Sequence, residues 1–131
     1  MIQARINCRV YYEDTDAAGV VYYANYLKYL ERGRTEFLRT LGLVQADLAR
    51  QYSIVFAVKD LKIDYLLPAR LDDMLQVETA IDKLGKASIK FRQNILHDDK
   101  ITTTAMAGVV CLHTTTFKPC RIPKPILEKI P

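Results

Sequence analysis

The sequence predicts an α+β domain with one long amphipathic helix lying in the concavity of an antiparallel sheet. Three observations predict it. A segment near the start alternates with a period of two. Residues 22–41 recur at three and four. Everything after residue 54 returns to β-branched, alternating segments separated by short turns.

Residues 4–12, ARINCRVYY, put Ile6, Cys8 and Val10 on one face and Arg5, Asn7 and Arg9 on the other, which is the pattern of a half-buried strand. EDTDAAG breaks that pattern. From Tyr22 to Leu41, the residues Tyr23, Tyr26, Leu27, Leu30, Phe37, Leu38 and Leu41 form a helical stripe. Arg32 and Glu36, one turn apart on another face, are expected to pair weakly across solvent. Gly42 is expected to cap the helix, and residues 44–51 to add a further turn or two. IVFAVKDLKIDYL (54–66) reads as a strand ended by Pro68. MLQVETAID (74–82) and ASIKFRQNIL (87–96) alternate about an LGK turn. HDDK is a polar turn, and ITTTAMAGVVCLHTTTF (101–117) reads as a long strand bulged near Gly108. Pro119, Pro123 and Pro125 punctuate the tail, with one helical turn at 125–130. The last three strands form a meander, and alternating edge strands invite pairing with a second copy.

The length of 131 residues suits one domain over 1–131. Such a chain buries roughly two thirds of its unfolded surface, so its core needs neither disulfide nor metal. The net charge of +4 is spread along the chain rather than gathered in a stripe, which argues against a nucleic-acid partner and suits a phosphorylated small molecule. Cys8 and Cys111 fall within apolar patterns and read as core residues. Cys120 makes the count odd. With no leader at MIQARINC, a reducing cytoplasm is expected. No apolar run approaches the ~18 residues that span a membrane. His97 and His113 lack any ligand cluster, and neither a GxSxG nor a phosphate-loop motif occurs, so no metal or cofactor is expected.

The acidic turn is the remaining place for chemistry. Glu13 and Asp14 directly follow the strand and read as solvated turn residues. Asp16 stands in TDAAG, just before Val20-Val21-Tyr22-Tyr23, which is expected to enter the core. Ala17, Ala18 and Gly19 leave room for a ligand or a close backbone approach. A carboxylate beside apolar groups gains proton affinity, and the first N–H groups of a helix suit a developing oxyanion. The local pattern leaves two readings open: Asp16 caps the turn, or it does chemistry.

YYEDTDAAGVVYYANYLKYLERGRTEFLR, then YLLPARLDDML and a late KPCRIPKPI, resemble the hot-dog-fold acyl-CoA thioesterases over nearly the whole chain. The nearest likeness is to the branch encoded with the bacterial Tol-Pal envelope system, related to 4-hydroxybenzoyl-CoA thioesterase. The resemblance implies a hot-dog fold, with a five-stranded antiparallel sheet around one long helix. It implies edge-to-edge homodimers that can assemble to a homotetramer, and metal-free hydrolysis of an acyl-CoA thioester. By position, the family's catalytic carboxylate falls on Asp16 and its preceding tyrosine on Tyr12. Tyr23 stands where many members of this branch carry histidine; the 4-hydroxybenzoyl type has tyrosine there. The Tyr23 backbone N–H becomes the expected oxyanion donor. Tyr12 and Tyr23 side chains orient water or the acyl group, or simply pack in the core.

For the CoA phosphates the suited charges are Lys83, Lys86 and Arg121, with Ser88 as a hydrogen-bond donor to the nucleotide; each also reads as ordinary solvated surface. A hot-dog dehydratase would want a histidine motif that is missing here. The alternative from another class is a non-catalytic acyl-CoA-binding or scaffold protein contacting acyl carrier protein or envelope components.

Overall fold

The computed structural model describes residues 3–131. Its strands are β1 (Gln3–Arg9), β2 (Ile54–Tyr65), β3 (Met74–Leu84), β4 (Ser88–His97) and β5 (Lys100–His113). All pair antiparallel in the order β1-β3-β4-β5-β2, so β3, β4 and β5 are the expected meander while β1 and β2 are the edges. The HDDK turn is a two-residue hairpin. Asp98 and Asp99 both take positive φ there, at 50° and 64°, between the paired His97 and Lys100.

The long helix α1 (Tyr26–Thr40) lies across β1, β3 and β4, and α2 (Gln45–Tyr52) follows it. Gly42 ends α1 as expected. Its φ is +80°, its N–H donates to the Arg39 carbonyl (3.0 Å), and the Leu43 N–H reaches back to the Leu38 carbonyl (2.9 Å). Leu38 and Leu43 are both buried, which supplies the apolar contact of a Schellman cap. No helix among the described residues is long and apolar enough to cross a membrane.

The core falls into two apolar clusters with a polar layer where they meet. Tyr26, Tyr29 and Leu30 pack with Cys8, Val10, Leu75, Val77 and Ile95. Further along α1, Phe37 and Leu38 pack with Ile54, Ile89, Phe91, Val109 and Cys111, together with Ile122, Ile126 and Ile130 of the tail and its short helix α3 (Lys124–Leu127). In the polar layer Gln93, fully buried, donates to the Leu30 carbonyl (2.8 Å) and to Thr79 Oγ1 (2.9 Å), and accepts from Arg34 Nη1 (3.0 Å). Gly33 lets the helix approach that layer. A Cβ there would stand 2.7 Å from both Thr79 Oγ1 and Val77 Cγ1.

Four local expectations need correction. β1 stops at Arg9 rather than residue 12, because Val10 instead gives its N–H to the Asp73 carbonyl (2.9 Å). β5 stops at His113 rather than residue 117. Thr114–Thr116 form a turn closed by the Phe117 N–H on the His113 carbonyl (2.8 Å), and the tail runs back beside β5. The bulge lies in β2 at Lys59, facing Gly108 across the ladder, where a side chain on Gly108 would collide with Asp60. Glu36 pairs with Arg39 (3.4 Å) rather than Arg32.

Candidate active site

The acidic stretch begins with a 3₁₀ turn, Tyr12–Asp14. Asp14 does not behave as a solvated turn residue; it is only 7% exposed. Its Oδ2 accepts the Tyr11 N–H (2.8 Å), while its carbonyl accepts both the Tyr22 N–H (3.0 Å) and Asn25 Nδ2 (2.8 Å). Asp14 therefore ties the exit of β1 to the entrance of α1. Beside it, Tyr29 is enclosed, and its hydroxyl makes no hydrogen bond of normal geometry among the described residues. Burial first, then the Asp14 carboxylate, push that phenol well above its usual range.

Asp16 stands on the surface rather than half-buried. A tight loop presents it. The Asp16 N–H donates to the Val20 carbonyl (2.9 Å), its carbonyl accepts the Gly19 N–H (3.0 Å), and Oδ1 accepts the Ala18 N–H (2.9 Å). Gly19 closes the loop at φ +78°, a conformation that disfavours other residues. Oδ2 has no partner among the described residues and is available for chemistry.

Of the segment expected to enter the core, Val21 does so and the tyrosines do not. Tyr23 is 63% exposed, and Tyr22 stacks at its side with ring centres 4.8 Å apart. The Tyr22 phenol is pushed up chiefly by the Tyr23 hydroxyl beside it and in smaller part by the Asp16 carboxylate, so the three share one patch. A 3₁₀ turn, Tyr23–Asn25, leads into α1. The N–H groups of Tyr23 and Ala24 have no partner among the described residues. Tyr65, at the end of β2, donates its hydroxyl to the Tyr23 carbonyl (3.0 Å). Tyr12 is 84% exposed, and its ring joins neither Asp16 nor the other tyrosines.

Lys83 and Ser88 come together, with Lys59, Asp60, Gly85 and Lys90, around an open cleft of about 200 Å³. Lys86 and Arg121 lie near it on neighbouring segments, joined by the Ile122 N–H on the Lys86 carbonyl (2.8 Å), but they do not line it. Lys90 was legible as an outward residue of an alternating strand. Lys59 was not, because the bulge alone decides its place. Nor did Tyr65 carry a signal, since only strand pairing brings it to the helix entrance.

Measured along β3, the cleft and the Asp16 loop stand at opposite ends. The Asp16 loop is tied to residues 69–73 just before Met74, through the Val21 N–H on the Ala69 carbonyl (2.8 Å) and the Val20–Arg70 bridge. Lys83 is nine residues of strand further on, about 30 Å at the usual rise per residue.

A long helix wrapped by a five-stranded antiparallel sheet matches one family. Residues 10–130 match the model of the thioesterase-like superfamily. The acyl-CoA thioesterase YbgC of Haemophilus influenzae is 45% identical over 118 residues, which are 90% of this chain and 87% of that one. The crystal structure of a probable thioesterase from Bartonella henselae superposes with a TM-score of 0.89 at 36% identity, covering 93% of this chain and all of that one. A DHNA-CoA thioesterase from Staphylococcus aureus gives a TM-score of 0.93 at 26% identity, over 99% and 89% of the two chains. The chain belongs to the thioesterase-like, hot-dog-fold superfamily. It is an enzyme of that family, a thioester hydrolase.

Proposed function

We propose that this protein hydrolyses acyl-CoA thioesters of short-chain or aromatic acids, with Asp16 as the reacting carboxylate. One observation carries the reading: the loop that exposes Asp16 Oδ2 leads through Val21 and Tyr22 straight into the open N–H groups of Tyr23 and Ala24. The thioester carbonyl takes its place against those N–H groups, at the positive end of α1, where they stabilise the oxyanion. Asp16 then removes a proton from an attacking water, or attacks to form a mixed anhydride that water opens. The C–S bond breaks, CoA leaves as a thiolate and takes up a proton, and the acid is released. A thiolate leaves readily, so no strong general acid is needed. Tyr23 and Tyr22 border the reacting centre and orient water or the acyl group, while Tyr12 stays exposed to solvent.

The lysine cleft suits the CoA phosphates, with Lys83 and Ser88 now joined by Lys59 and Lys90, and with Lys86 and Arg121 adding positive field. Within one chain it lies at the far end from Asp16. A two-fold copy closes that gap. β2 carries Lys59 and Asp60 of the cleft near its middle and Tyr65 at the Asp16 end, and it exposes Val58, Leu61 and Tyr65. Antiparallel pairing of two β2 edges about a two-fold between Lys59 and Tyr65 would bring one chain's cleft to its partner's Asp16 end. A homodimer is therefore the working unit in this reading. The family resemblance points to tetramers and to contacts with acyl carrier protein or the Tol-Pal envelope system, and the cysteine content points to a cytoplasmic location.

The test follows CoA release from short, long and aromatic acyl-CoAs by wild type and Asp16→Asn. Loss of a catalytic base or nucleophile is expected to lower the rate at least ~100-fold with the fold retained. Acyl-CoA binding without turnover by either protein would replace this reading with a binding or scaffold role.

A further inference from the structure

The two peptide units that present the open N–H groups are each gripped through their carbonyls. The Tyr22 carbonyl, in the same unit as the Tyr23 N–H, accepts the Asn25 N–H (2.8 Å). The Tyr23 carbonyl, in the same unit as the Ala24 N–H, accepts the hydroxyl of Tyr65 (3.0 Å), a residue 42 positions away on the edge strand. A hydrogen bond to a carbonyl draws electron density through the amide and makes the N–H of that unit a stronger donor. The Tyr65 ring is also fixed. It meets the Tyr26 ring at 5.2 Å between centres and the Tyr23 ring edge-on at 6.5 Å.

We infer that Tyr65 is a positioning residue of the hydrolysis: its hydroxyl orients and polarises the Tyr23–Ala24 peptide so that the Ala24 N–H serves as the second donor to the oxyanion. This rests on the reading of Asp16 and the helix entrance given above. The role requires a protonated phenol, because a phenolate accepts hydrogen bonds and donates none. Burial first, then Tyr26 and Tyr23, raise the Tyr65 phenol, which keeps the donor intact at neutral pH. The titratable groups facing it are Tyr23 at the helix entrance and Tyr26 on α1, with Asp73 beyond Tyr26.

Tyr65→Phe keeps the ring and removes only the donor. The expected result is a fall in kcat of about 3- to 10-fold, the scale of one neutral hydrogen bond, with KM for the acyl-CoA within about twofold and an unchanged melting temperature. A second variant carries a fluorinated tyrosine at position 65, whose phenol ionises within the assay range. Its kcat is expected to fall as pH rises through that ionisation, while the wild-type rate does not. Unchanged kcat in Tyr65→Phe overturns the inference. So does a loss shared with melting temperature and lacking the pH-dependent fall in the fluorinated protein. Asp16→Asn is assayed alongside. If Asp16→Asn loses its rate and Tyr65→Phe does not, the Tyr65 inference fails alone. If Asp16→Asn keeps its rate, the reading of the site fails and takes the Tyr65 inference with it.

Discussion

The two ends of α1 are built to opposite specifications. At its C-terminal end the chain closes back on the helix: the Schellman cap at Gly42 returns two N–H groups to its last carbonyls, and Phe37 and Leu38 are sealed beneath the tail. At its N-terminal end two N–H groups stay open, Tyr22 and Tyr23 face solvent, and the Asp16 carboxylate keeps one oxygen free. Chemistry needs unsatisfied donors held still, and stability needs donors satisfied. The molecule separates the two demands by about 20 Å of helix. What keeps the open end still is a set of clamps from outside the helix: the Asp14 carbonyl on Tyr22 and Asn25, and the Tyr65 hydroxyl on Tyr23.

This contrast can be broken at either end. The largest effect belongs to Asp16→Asn, where a rate loss of at least ~100-fold should leave the melting temperature unmoved. Gly33→Ala should do the reverse. Its methyl group would press on Thr79, Val77 and Gln93, and overpacking of that kind costs about 1–3 kcal/mol, partly offset by up to about 1 kcal/mol of helix propensity. Denaturant midpoints and kcat measured on the same preparations separate the two classes. A Gly33→Ala protein of wild-type stability would mean that the polar layer yields freely.

The closed end should also be the one that fails in alkali. Burial, and then contact with Cys120 at 3.6 Å, push the Cys111 thiol up from 9.0 to about 12. The folded chain keeps that proton where the unfolded chain has released it. The resulting stability is full below about pH 9 and is lost as pH rises toward 12. Stability measured across that window should fall less steeply in Cys111→Ala, and equal slopes would count against it. The smallest effect is expected of Tyr29→Phe. The enclosed hydroxyl has no partner, so its removal should be neutral or stabilise by up to about 1 kcal/mol. A loss larger than that would show that Asp14 holds the hydroxyl after all.

Much of this architecture is legible in the residue pattern, because periodicity follows from burial on one face. Ile6 and Cys8 named the inward face of β1, with Val10 buried just beyond it, and Tyr26, Leu30, Phe37 and Leu38 named that of α1. Gly42 announced its cap. The same logic misled at the helix entrance, where Tyr23 lies in the 3₁₀ turn ahead of α1 and Leu27 falls off the buried face of Tyr26, Tyr29 and Leu30, so both stay exposed. It misled again at Asp14 and Asp16. Two acids two residues apart look alike in a string, yet the backbone turns one inward to bind Tyr11 and Tyr22 and leaves the other on the loop tip.

The sequence by itself determined the number and kind of elements, the helix cap, the apolar clusters and, through its D-T-D block, where to look for chemistry. Those are local properties, set by side-chain spacing and backbone preference within a few residues. Only the tertiary structure decided which acid is buried, which tyrosine grips the helix entrance, and which lysines share a cleft. Those depend on residues such as Tyr23 and Tyr65, or Lys59 and Lys90, that lie tens of positions apart and meet through strand register and a single bulge. No local pattern encodes such a meeting, because the free energy that fixes it is spread over the whole sheet.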